Sequence, residues 1–114
     1  MPREITILSS APHDLYAVAD AAEGIGSADS VRQIEGGAGV QVVDRSGRDL
    51  LTVYAPRLLS TPGEVERLLP AAPEVSLPTY WCDAFAPLDD DGEAGVSIAL
   101  RLALALGAVC VVED

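Results

Sequence analysis

Apolar residues along this chain recur with two different periods, and the changes between them outline the elements. From Glu4 to Ser9, Ile5, Ile7 and Leu8 surround Thr6, as in a strand buried on at least one face. The spacing then becomes helical: Leu15, Val18, Ala19 and Ala22 fall on one side of a helix. Ser10 is placed to cap it, Pro12 suits its first turn, and Gly24 and Gly26 end it. Three short apolar runs follow at strand spacing. Ser30–Glu35 carries Val31 and Ile34; Val40, Val42 and Val43 form the next run; Asp49–Ala55 is the third and Pro56 ends it. The turns between them are Gly36-Gly37-Ala38-Gly39 and Asp44-Arg45-Ser46-Gly47.

The second half returns to helical signals. Thr61-Pro62-Gly63-Glu64 has the form of a capping box with proline at the first helical position, followed by Val65, Leu68 and Leu69 on one face. Pro70 should end that helix, and the proline-rich stretch from Pro70 to Pro78 reads as a connection. Thr79–Phe85 reads as a strand. Asp89-Asp90-Asp91 then opens a long helix from about Gly92 to Leu106, with its acids at the positive end of the helix dipole. Gly107 closes it, and Ala108–Val112 is a last β-branched strand.

The order β-α-β-β-β-α-β-α-β predicts one α+β domain over residues 1–114: a two-layer sandwich with a mixed, mostly antiparallel sheet and helices on one face. The closing strand-helix-strand unit should cross over right-handed, with its two strands parallel. Gln41, Thr52 and Arg32 are placed to share the polar face of the middle strands.

Composition narrows the function classes. Eighteen acidic residues stand against seven arginines and no lysine, for a formal charge of −11. Such an excess repels nucleic acid and anionic lipid, and it leaves a protein partner, either basic or a second copy of the chain, as the expected class. Nearly half of the residues are hydrophobic, enough to fold a chain of 114 residues around one core. Arginine as the sole strong base, with abundant alanine, matches high-GC bacterial usage. The start lacks a basic region leading into an apolar run, so a cytoplasmic protein without a signal peptide is expected. Ala94–Val112 approaches the length of a membrane span, but Arg101 sits at its centre and its flanks are acidic. No membrane association is therefore expected.

Three segments carry candidate chemistry. In the long helix, Glu93, Ser97 and Arg101 form one narrow polar stripe on an otherwise apolar cylinder. Either the other two helices flank and cover it, or part of it is a partner surface; Leu100, Arg101 and Leu104 are the interface candidates, most simply in a homodimer. In Tyr80-Trp81-Cys82-Asp83-Ala84-Phe85, alternation puts Trp81, Asp83 and Phe85 on one face and Tyr80 with Cys82 on the other. Tyr80, Trp81, Asp83 and Phe85 are the candidate partner- or ligand-binding residues, since interfaces favour aromatic anchors beside a polar group. The acidic triplet is contiguous, unlike the alternating ligands of a calcium loop, so it reads as a helix start.

Cys82 and Cys110 read as reduced thiols in apolar runs. With His13 they lack a metal-binding spacing, so neither a metal nor a cofactor is expected. His13 has no recognisable nucleophile beside it in sequence, and the glycine turn joins two strands instead of opening a phosphate-binding helix. The expected function is a small, acidic, non-enzymatic interaction module of the adaptor, inhibitor or immunity type. The second expectation is a regulatory α+β domain holding a small molecule near Trp81 and Asp83.

Overall fold

The computed structural model describes residues 2–69 and 75–113. Residues 70–74, where the second helix was expected to end and the connection to begin, lie outside the described residues, as do Met1 and Asp114. The elements in chain order are β1 (Arg3–Ser9), α1 (Leu15–Glu23), β2 (Ser30–Ile34), a 3-10 turn (Glu35–Gly37), β3 (Gly39–Val43) and β4 (Asp49–Tyr54). They continue with β5 (Arg57–Leu59), α2 (Glu64–Leu68), β6 (Thr79–Ala86), α3 (Asp90–Leu106) and β7 (Val109–Glu113). The fold is α+β, with one sheet in the order β2-β3-β4-β6-β1-β7 and the short β5 beside β6. Each neighbouring pair is antiparallel. Because β6 and β7 both run antiparallel to β1, they are parallel to each other, with β1 between them.

The register divides the sheet into two faces. Ile5, Ile7, Val42, Leu51, Val53, Cys82 and Ala84 meet Val18, Ala21 and Ala22 of α1 and Ile98, Ala99 and Leu102 of α3. These residues form the main core. Gly95 lets α3 come close: a Cβ there would collide with the Leu50 carbonyl oxygen and lie 3.0 Å from the Ala86 methyl. On the opposite face Leu8 and Trp81 pack with Val65 and Leu69 in a second cluster. The two long helices thus share one face, but α2 crosses to the other. The physical reason is alternation: Leu8 and Trp81 point away from Ile7 and Cys82 and are too apolar to leave open to water. Among the described residues, α3 therefore has one helical neighbour, α1, and is not flanked by two.

Local signals differ from expectation at the starts of α1 and α2. The cap of α1 is Asp14, whose carboxylate accepts from the Ala17 N–H at 2.9 Å; Ser10 and Pro12 precede the helix. The capping box at Thr61 does not form. Gly63, in the left-handed region (φ 87°), caps α2, and the Glu64 carboxylate accepts from Arg67 at 2.8 Å. A left-handed residue at the cap displaces the helix start by two positions, which puts Thr61 out of reach.

The polar face of the middle strands forms as expected. The Arg32 guanidinium donates to Gln41 Oε1 at 2.6 and 3.0 Å, and Gln41 Nε2 donates to Thr52 Oγ1 at 3.3 Å. Among the described residues, no helix is long and apolar enough to cross a membrane.

Candidate functional site

Strand β6 carries the first set of candidate residues. Trp81 and Asp83 do share a face, and the indole N–H donates to Asp83 Oδ1 at 2.8 Å. Trp81 is only 5% exposed, sealed by Leu8, Val65 and Leu69, while the Arg57 guanidinium lies 5.8 Å from its ring centroid. Its bulk and its one polar handle are therefore used inside the chain. Tyr80 and Phe85 are half-buried. Phe85 meets Tyr54 edge-to-face at 6.0 Å, which leaves Asp83, Phe85 and Tyr54 as the more open part of this face. The same face is acidic near the β7 edge, where the register sets Glu4 directly across from Glu113.

At the end of the sheet the fold joins two residues that are 69 positions apart. His13, in the approach to α1, brings Nε2 to 3.9 Å from the Cys82 Sγ, and that thiol donates to the Tyr54 carbonyl at 3.3 Å. A cavity of about 110 Å³ lies beside His13, bounded by Gly37, Gly39 and Tyr54. Burial, together with the negative charge of Asp83, pushes the Cys82 thiol up to about 12. Burial lowers His13 from its ordinary value, with Asp14 opposing. A thiol held protonated beside a neutral imidazole is the reverse of the thiolate–imidazolium pair a cysteine nucleophile needs.

Cys82 and Cys110 lie on either side of Ile7, in register with it from β6 and β7. They are two strand spacings apart, about 10 Å, beyond the roughly 7 Å Cα separation that a disulfide bridges. Both thiols are free. Among the described residues, no three His, Cys, Asp or Glu side chains come together as a metal site.

The outer face of the helical layer differs in kind. Leu104 is 83% exposed, Tyr16 of α1 is 77% exposed, and Leu100 is 49% exposed. Between α1 and α3 runs a groove of about 410 Å³, lined by Ala17, Asp20, Ala21, Arg101, Leu104 and Ala105, with Leu106 at its end. Arg101 bridges the two helices: its Nε donates to the Ala21 carbonyl at 2.9 Å, at the negative end of α1. Its guanidinium also lies over Gly24. Residues 96–106 hold no acid, and Arg101 is their only charge.

The structure thus brings Leu100, Arg101 and Leu104 together on one open face, and it divides the β6 candidates between core and surface. Sequence reasoning missed Tyr16, although a signal existed. Tyr16 is two positions from Val18, so it lies nearly opposite the buried stripe of α1. The meeting of His13 with Cys82 is a tertiary contact that no local pattern announces. No protein-family model matches the chain, and neither does any curated protein sequence or any solved structure.

Proposed function

We propose that the chain is a small, acidic, non-enzymatic protein-interaction module of the adaptor, inhibitor or immunity type, and that it docks through the outer face of α1 and α3. The observation that carries this reading is Leu104, 83% exposed where it lines the inter-helix groove, with Tyr16 of α1 77% exposed. Water contact with large aliphatic and aromatic side chains is unfavourable, and a cluster of them on one face gains most from a partner. The buried, protonated Cys82 and the neutral His13 favour a structural part for that pair.

The alternative, a small-molecule site near Trp81 and Asp83, is weaker because the indole N–H and the carboxylate already satisfy each other. A cytoplasmic setting goes with the proposal, since two unpaired thiols suit a reducing compartment. The test is crosslinking capture from an extract of the source cells. The baits are the wild type, Leu104→Glu and Phe85→Ser, each first checked for folding by circular dichroism. Loss of the captured protein with Leu104→Glu and its retention with Phe85→Ser is the expected result. The opposite pattern would move the docking face to the sheet.

A further inference from the structure

We infer that the occupant of the α1–α3 face is a second copy of this chain, an inference that rests on the docking face proposed above. The charge pattern argues for it. The chain carries −11, so a basic partner is drawn most strongly to the acid-rich surfaces, such as the sheet edge where Glu4 and Glu113 pair. The helical face selects differently. Its longest apolar stretch, residues 96–106, is free of acids and holds one arginine. The α1 side of the groove adds Asp20, so the face offers one arginine and one acid beside an apolar groove, a set that a second copy complements.

The groove also contains both halves of an isologous contact. Arg101 and Asp20 line it together, and among the described residues neither forms an ion pair within its own chain. Among the described residues, Arg101 bonds within the chain through its Nε, and its terminal nitrogens lie over Gly24. Under two-fold symmetry, a contact from Arg101 to the other copy's Asp20 is repeated automatically in the reverse direction. The apolar parts match in the same way. Leu104 is a projecting knob, and beside it Ala17, Ala21 and Ala105 make a groove floored by small side chains. Helices α1 and α3 follow the antiparallel strands β1 and β6 and return over the same sheet face, so they run antiparallel, with Arg101 reaching Ala21 between them. Two such pairs stacked face to face give a four-helix layer between two sheets, with each Leu104 seated in the other copy's groove.

Sedimentation velocity over a concentration series tests this, with circular dichroism confirming that each variant is folded. The wild type is expected to dimerise. Leu104→Glu should weaken the dimer by about a hundredfold or more, since two buried leucines are lost for one substitution. Asp20→Lys should weaken it about 3- to 30-fold by setting two cations together at both symmetric contacts. Adding Arg101→Glu to Asp20→Lys should restore most of the affinity; if that double variant does not fold, the Leu104→Glu and Asp20→Lys results decide alone. A dimer indifferent to Leu104→Glu would overturn the inference and place the contact elsewhere, with the β7 edge next in line. A monomeric wild type would overturn it too. If that monomer still captures a different protein through Leu104, the docking-face reading survives; if it captures none, both fall.

Discussion

Replacing Gly95 by alanine should destabilise the protein, against the usual sign for a helix. In a helix interior, alanine is normally favoured over glycine by about 1 kcal/mol. Gly95 lies in α3 where the helix crosses β4. A Cβ there would collide with the Leu50 carbonyl oxygen and sit 3.0 Å from both the Leu50 carbonyl carbon and the Ala86 Cβ. The obstacle is backbone of a central strand, so it cannot rotate away as the end of a side chain would. To make room, α3 must lift, and lifting it loosens Ile98, Ala99 and Leu102, all fully buried beneath it. Overpacking of this kind costs about 1–3 kcal/mol, and the shared backbone obstacle puts Gly95 at the upper end. After the helix-propensity gain is subtracted, a net loss of about 2 kcal/mol remains, or roughly 8 °C in Tm for a domain of this size. Trp81 is the only tryptophan and is buried, so its fluorescence reports the transition directly. Ser97→Gly, at an exposed position of the same helix outside the groove, supplies the reference: it should cost about 0.5 kcal/mol from propensity alone. A Gly95→Ala protein as stable as the wild type, or more so, would refute the close seating of α3 on β4.

Two further substitutions probe the other face and the sheet end. Trp81→Phe removes an indole that fills the second cluster and leaves Asp83 without its donor, and should cost about 2 kcal/mol in urea denaturation followed by circular dichroism; an unchanged midpoint would mean that α2 is not anchored there. His13 is held neutral by burial, so its folded pKa lies below the unfolded value of 6.5. The unfolded chain then takes up the proton first, and stability should fall as pH drops through 6.5 toward the folded pKa. His13→Gln should flatten the dependence of the denaturation midpoint between about pH 7 and pH 5, and equal slopes in the two proteins would contradict the burial of this ring.

Strand and helix positions were legible wherever one period ran for several residues. Alternation in Tyr80–Phe85 placed Trp81 and Asp83 on one face, and the Arg32–Gln41–Thr52 row was readable from three strands that shared a polar phase. Legibility failed where a tertiary contact decided the outcome. The side of the sheet taken by α2 depends on Leu8, far away in sequence, and its start depends on the left-handed Gly63 and not on the Thr61 signature. Trp81 looked like a surface anchor because composition cannot show that α2 folds over it. For α3, the periodicity identified a face that was too apolar for solvent. Only the position of α1 showed which part of that face stays open and that Arg101 braces the two helices.

The docking face can be observed directly by hydroxyl-radical footprinting of the wild type across a concentration series. Leu104 and Tyr16, open in the single chain, should become protected together as concentration rises, while exposed Leu58 on β5 keeps a constant rate. Constant labelling of Leu104 at every concentration would contradict association through the helical face.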